Sequence, residues 1–397
     1  MKGGIFMNEV VIGLIGSGYA GFLHVNGYKK VYGIPVRIKT IVDVDIEKAK
    51  IFAKTHCIEN ASMNIEDVLN DPEIQIIDIA TPPMTHIDIA AKALKAGKHV
   101  ICEKPLSGYF GQEGDVAPIG KTVPKEKMFK KVMEEIDEFK KVVEESGKLF
   151  MYAENYIYCP SVTKAAEIIA HKKSKLLFMK GEESLRGSSS PVAGRWDKTG
   201  GGSFIRVGTH PLSGILWLKQ VEAKARGEKI NVVSVSADMG NTASMLNQYD
   251  RRHLTLETYD VEDFANVTLT FSDNTKAIVI GADNVLGGTK NYIEIYANDT
   301  SLMCNITPAN NLQSYFLDED NLEDVSISEM LPGKTGWNNV FICDEILRGY
   351  TFEMQDFVES VAYNRQPKSG IELAYETTKI LYAAYQAADE QKTVFLV

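Results

Sequence analysis

Cysteine is scarce in this chain, with five in 397 residues. Cys57, Cys102, Cys159, Cys304 and Cys343 are odd in number, scattered, and include no C-x-x-C pair. That pattern argues against a disulfide framework or a structural zinc site and makes a reduced, cytoplasmic setting the expectation. The seven histidines form no H-x-x-H or H-E-x-x-H spacing, so no metal is expected. No apolar run approaches the ~20 residues that cross a bilayer. The stretch Met1 to Asn8 lacks the apolar core of a signal peptide. A basic excess is also missing: 43 Lys and Arg against 53 Asp and Glu give a net charge of −10. A phosphate-backbone binder needs a basic face, so neither nucleic acid nor membrane is expected as a partner.

What is present is a soluble-protein composition, 44% hydrophobic and 24% charged, in a chain long enough for two domains. The first part alternates strand-like runs (Glu9 to Ile15, Val36 to Val42, Ile74 to Ala80, His99 to Cys102) with helical spacings. Such alternation implies a parallel sheet covered on both faces. Ser107 to Pro124, with four glycines and two prolines, reads as a long surface loop. An amphipathic helix follows, from Met128 to Val143. Beyond residue 150, strand-like segments at Phe178, Val232, Phe264, Ala277, Tyr292 and Leu302 have short connections, with a hairpin turn at Ser272-Asp273-Asn274. This half reads as α+β with an open, mainly antiparallel sheet. The expected division is 1–150 and 151–397, with the two terminal helices free to pack back on the first domain.

Gly16-Ser17-Gly18-Tyr19-Ala20-Gly21 is G-x-G-x-x-G between a strand and a helix, and Asp43 ends the next strand. The glycines allow a tight turn and close approach of backbone to a pyrophosphate, which the helix N-terminus then binds. Asp43 is placed to accept the adenosine ribose hydroxyls, although an Asp there also suits a helix N-cap. Val44 follows it, with no Arg or Lys at the usual place for a 2′-phosphate, so NAD is expected over NADP. Glu103-Lys104-Pro105 leaves the fourth clear strand at the sheet edge where ligands bind. Its spacing alone better describes a surface Lys–Glu pair. In the second half, Gly200-Gly201-Gly202 leads to His210-Pro211 at the start of an apolar-faced helix. The dipole there disfavours imidazolium and leaves a neutral base; a plain helix cap is the alternative. Tyr152, Tyr156 and Tyr158 fit a sugar site or a core.

Together these strings resemble the Gfo/Idh/MocA oxidoreductase family across nearly the whole chain. The resemblance rests on Val11-Ile12-Gly13-Leu14-Ile15-Gly16-Ser17-Gly18, Ala80-Thr81-Pro82-Pro83 with His86, and Ala96-Gly97-Lys98-His99-Val100-Ile101-Cys102-Glu103-Lys104-Pro105. It continues in Gly200-Gly201-Gly202 to His210, Glu262-Asp263-Phe264-Ala265 and Gln366-Pro367-Lys368-Ser369-Gly370. It implies a Rossmann domain followed by an open-faced α/β domain. The implied activity is NAD-dependent oxidation or reduction of a hydroxyl or keto carbon in a sugar, polyol or derivative. Lys104 and His210 are then the catalytic pair for the hydroxyl proton. Gly16, Gly18, Tyr19, Ala20, Gly21, Asp43, Thr81, Pro82, His86, Glu103 and Lys104 are the residues for the dinucleotide. Lys104, Tyr156, Asp197, Arg206 and His210 are those for the substrate. A homodimer or homotetramer is implied as well.

One position departs from the family's D-x-x-x-H signature: its Asp is here Arg206. A guanidinium cannot act as a base. Three readings remain: His210 works alone, a carboxylate such as Asp197 fills the gap, or Arg206 clamps an anionic group. An ion pair within the fold is the plainer alternative. Two further outcomes are compatible with the family: transient oxidation that ends in glycoside cleavage, and a non-catalytic sensor of NAD and sugar.

Overall fold

In the computed structural model, residues 9–307, 312–325, 327, 333–340 and 344–396 are described; Cys343 and Met1 to Asn8 fall outside them. The chain divides into two compact units. One comprises residues 1–107, 134–155 and 349–375, the other residues 108–133, 156–348 and 376–397.

In the first unit, β1 (Val10–Ile15) is buried at every position, as a strand covered on both faces must be. It lies in a six-stranded sheet with β2 (Val36–Val42), β3 (Asn60–Ser62), β4 (Ile76–Ile79), β5 (His99–Glu103) and β6 (Phe150–Ala153). All pairs are parallel and the order is β3-β2-β1-β4-β5-β6, so the strand order reverses between β1 and β4. That is the switch point at which open sheets bind ligands. Helices α1 (Tyr19–Tyr28), α2 (Ile46–His56) and α3 (His86–Lys95) connect the strands. The helix Tyr350–Ala362 belongs to this unit too, its Met354 packed on Gly27 of α1. Ser369 and Gly370 pair with Tyr152 and Met151 of β6, which gives the late Pro-Lys-Ser-Gly string a place beside the sheet.

The second unit holds a seven-stranded sheet. Its members are β7 (Leu176–Ser184), β8 (Val232–Gly240), β9 (Phe264–Phe271), β10 (Lys276–Ala282), β11 (Lys290–Ala297) and β12 (Ser301–Thr307). β13 (Gln313–Phe316) and β14 (Gly336–Asn339) pair separately, and β15 (Val394–Phe395) ends the sheet order β12-β11-β7-β10-β9-β8-β15. Every pair is antiparallel except β7 with β10. Asn274 takes a left-handed φ of 66° in the turn joining β9 to β10, as its sequence demands. One face is covered by the helices Pro160–Lys172 and Thr209–Arg226; Pro211 packs on Gly181 and Ile293 on Gly214.

The segment from Ser107 to Pro124 departs from its expectation as a surface loop. Tyr109, Ile119 and Val123 are buried, and a short helix runs over Ile119–Thr122. The Tyr109 N–H donates to the Tyr382 hydroxyl at 2.5 Å, and the Gly120 N–H to Asp260 at 2.9 Å. Its few apolar residues were enough to anchor it; glycine content hid that.

Candidate active site

The turn after β1 shows what each glycine does. Gly16 has φ +106°, and a Cβ there would sit 2.4 Å from the Ala80 carbonyl oxygen. A Cβ at Gly21 would meet the Gly16 carbonyl at 2.4 Å, whereas one at Gly18 meets nothing within 4 Å. Two glycines therefore serve the turn itself, and the middle one leaves open space. No side chain caps α1. Anionic groups are favoured at such a helix start.

Beside this turn opens a cleft of about 750 Å³, lined by Gly16, Gly18, Asp43, Val44, Thr81 and Pro82 among others. Asp43 is not the N-cap of α2; Asp45 does that, accepting from the Glu47 and Lys48 N–H groups at 3.1 and 3.2 Å. Asp43 instead accepts from the Ser17 N–H at 2.9 Å and hydroxyl at 2.6 Å, and from the Asp45 N–H at 3.0 Å. Burial pushes its carboxyl up, but these bonds outweigh it and hold the group below the usual range. An ionised carboxylate is thus fixed at the tip of β2 with lone pairs to spare. The open space at Gly18 and this carboxylate fit a dinucleotide. Tyr19 is exposed at the first turn of α1, and Ala20 is half-buried behind it.

His86 is corrected from a cofactor-facing residue to an internal brace. It is fully buried, its ring nitrogens 2.9 Å from the Thr81 carbonyl and 2.8 Å from the Pro105 carbonyl. It joins the loop after β4 to the Glu-Lys-Pro turn. Lys104 is half-buried at the carboxyl end of β5 and precedes a cis proline. Glu103 accepts from the Lys104 N–H at 2.9 Å.

Behind Glu103 lies a network that sequence reasoning missed. His24 is fully buried, its Nδ1 2.9 Å from Asp78 and its Nε2 3.1 Å from Glu103. The Tyr28 hydroxyl donates to Asp78 at 2.7 Å. Burial pulls the His24 pKa down, yet Asp78 and Glu103 together hold it well above the ordinary value. An imidazolium therefore braces the carboxylate that precedes Lys104. The only signal was an apolar-flanked His eight residues after Gly16, and nothing local links it to position 78 or 103.

Glu353 stands beside this network, fully buried, with no hydrogen bond to either carboxylate oxygen. Burial pushes its pKa well up, and Glu103, Glu154 and Asp78 push it further against the pull of His24. A carboxyl raised in the folded state stabilises fully below its unfolded pKa, and that contribution drains away as pH rises through the folded value. Glu353→Met is expected to stabilise the protein by about 2 kcal/mol at pH 8 and by less at pH 5. Urea denaturation at both pH values measures this; equal or reduced stability at pH 8 contradicts it.

In the second unit, the residues Phe204–Gly208 wind as a π-helical turn into the helix Thr209–Arg226, which places Arg206 about one turn before His210. The Gly200-Gly201-Gly202 run serves packing. A Cβ at Gly201 would meet the Tyr385 hydroxyl at 2.2 Å, and one at Gly202 the Glu262 carbonyl at 2.0 Å. Glu262 accepts from the Gly202 and Phe204 N–H groups and the Tyr385 hydroxyl, each at 2.9 Å. Burial pushes its pKa up to about 7 against those bonds.

His210 is 5% exposed and stacks on Tyr156, ring centroids 4.9 Å apart at 15°. The expectation that Tyr156 binds substrate is corrected: it is 1% exposed, and its hydroxyl donates to Glu183 at 2.7 Å. Asp197 is half-buried, and its carboxylate accepts from the Arg195 guanidinium at 3.0 and 3.1 Å. Arg206 donates instead to buried Asp283, just past β10, a partner 77 residues away that no sequence pattern marks. Among the described residues no group of three His, Cys, Asp or Glu could hold a metal ion. None of the described helices is long and apolar enough to cross a membrane.

The model for the oxidoreductase family with an NAD-binding Rossmann fold, Gfo/Idh/MocA, matches residues 10–114, the stretch that builds this cleft. Over those residues the chain is similar to the Gfo/Idh/MocA oxidoreductase family. It is an NAD-binding oxidoreductase with a Rossmann unit and a second, mainly antiparallel unit. Levoglucosan dehydrogenase of Pseudarthrobacter phenanthrenivorans is 25% identical over 325 residues, 78% of this chain and 77% of that protein. Among solved structures, GenD2 from gentamicin A biosynthesis in complex with NAD has a TM-score of 0.79 at 18% identity, covering 100% of this chain and 99% of its own. The myo-inositol 2-dehydrogenase of Lactobacillus plantarum has a TM-score of 0.72 at 19% identity, covering 98% and 100%. These two similarities are of fold.

Proposed function

We propose that this protein oxidises or reduces one hydroxyl-bearing or keto carbon of a sugar, polyol or sugar derivative. The observation that carries the reading is the cleft itself, where open space at Gly18 and the ionised Asp43 stand in the same unit as Lys104 at the end of β5. NAD, when bound, supplies the hydride acceptor or donor. Gly16, Gly18, Asp43, Thr81 and Pro82 would hold it; Asp43 takes the ribose hydroxyls and opposes a 2′-phosphate. Lys104 donates a hydrogen bond to the reacting oxygen and stabilises its alkoxide character. His210 is proposed as the base that takes the hydroxyl proton, with Tyr156 and Glu183 fixing its ring plane. The similarity to levoglucosan dehydrogenase over three-quarters of both chains supports the carbohydrate class.

A panel of sugars and polyols with NAD, read as NADH absorbance, tests this. Stoichiometric NADH from one panel member is expected. Release of an aglycone with no net NADH would replace the reading with transient oxidation and cleavage. We further propose that the uncovered face of the seven-stranded sheet, which carries half-exposed Phe178, Tyr292 and Tyr296, builds a homodimer or homotetramer. Light scattering at micromolar concentration should give a multiple of 44.0 kDa, and a monomer mass refutes it.

A further inference from the structure

The sequence alone makes Arg206 a candidate clamp for a sugar acid or phosphate. Its surroundings assign the guanidinium elsewhere. Arg206 donates to the Asp283 carboxylate, whose side chain is fully buried. Parallel pairing of β7 with β10 sets Glu183 opposite Gly281, two residues before Asp283, so both acids leave the sheet at the same edge. Gly281 has no side chain to hold the helix away, and a Cβ there would meet the Gly208 backbone at 3.0 Å. This close approach is what brings the turn carrying Arg206 down onto Asp283. Asp263 lies alongside; its carbonyl accepts the Asp283 N–H at 2.8 Å, and its carboxylate accepts from Thr242 and Ala243. The Asp283 carboxylate is thus in contact with Arg206, and the carboxylates of Glu183 and Asp263 are near enough to act on it.

We propose that the Arg206–Asp283 pair is a charge-cancelling specificity element, and that the substrate is uncharged where it meets Arg206: a neutral sugar or polyol rather than a sugar acid or phosphate. The inference rests on the oxidoreductase reading of the site above. A substrate anion on Arg206 would compete with a carboxylate already desolvated and in contact, and would face Glu183 and Asp263 behind it. A hydroxyl meets no such opposition, because it accepts from a guanidinium N–H without bringing charge. Asp283 thereby neutralises, from just past β10, the positive charge that Arg206 places where the family's signature has an Asp.

The experiment uses the purified chain with two matched pairs: glucose against glucuronate, and myo-inositol against its monophosphate. kcat/KM is read with NAD, and equilibrium binding is read by calorimetry in the presence of NADH. The wild type is expected to favour the neutral member of each pair by at least about tenfold. Asp283→Asn uncovers the guanidinium and should raise binding of the anionic member about tenfold. A wild-type preference for the anions overturns the proposal, as does a folded Asp283→Asn protein with an unchanged ratio. Should that variant not fold, Arg206→Gln with Asp283→Asn leaves no unpaired charge and should keep the wild-type ratio within about threefold; a gain for the anions there also overturns it. Binding that favours the neutral members with no turnover of any compound counts against the reaction and leaves the charge rule supported.

Discussion

Gly16→Ala is expected to weaken NADH binding at least roughly a hundredfold, or about 2.7 kcal/mol. The left-handed φ of +106° costs any residue with a Cβ about 1–2 kcal/mol. The methyl would also lie 2.4 Å from the Ala80 carbonyl, and backbone cannot rotate out of the way as a side chain can. The turn must therefore open, and it moves away from Thr81 and Pro82 as it does so. Gly18→Ala separates this effect from ligand contact. Gly18 has an ordinary extended backbone, φ −82° and ψ −167°, and a methyl there meets no protein atom within 4 Å. That variant should keep the wild-type melting temperature yet lose NADH affinity, because the methyl occupies the space a pyrophosphate needs. Fluorescence titration with NADH and thermal denaturation give both quantities. A Gly18→Ala protein that binds NADH within about threefold of wild type would sink the idea that the dinucleotide backbone approaches this turn.

Lys104→Met is expected to lower kcat by 10²- to 10⁴-fold, roughly 3–5 kcal/mol of barrier, while NADH affinity stays within a few-fold. Methionine keeps the length and apolar stem of the lysine and removes only the ammonium. The role assigned to that group is realised as negative charge grows on the reacting oxygen, so kcat should fall more than KM rises. Thermal stability should move little, since Lys104 is half-buried, methionine keeps its apolar stem, and the bond from the Lys104 N–H to Glu103 is a backbone one that the substitution leaves in place. A loss under tenfold removes Lys104 from the chemistry and returns the Glu-Lys pair to the plain surface reading.

Much of the Rossmann unit was legible because its signals are local. Val36–Val42 appears as expected, and the β-branched run ending at Ala80 contains β4. The roles of Gly16 and Asp43 follow from a turn whose geometry needs only neighbouring residues. β6 was not foreseen, because Phe150 to Ala153 is too short to show a period. The helix Pro160–Lys172 was missed even though Pro160 opens it as prolines do.

What this sequence determined by itself is the strand–turn–helix start, the ionisable groups at its edge, and the family that these strings resemble. Each of those is set by residues within one or two turns of each other. Only the tertiary structure decided which groups are free to act. Arg206 is matched with Asp283 across 77 residues, His24 with Asp78 across 54, and Tyr156 is turned inward onto Glu183. The physical reason is common to all three. A charge or hydroxyl taken out of water must find a partner, and sheet register, not chain neighbourhood, determines which one lies within reach.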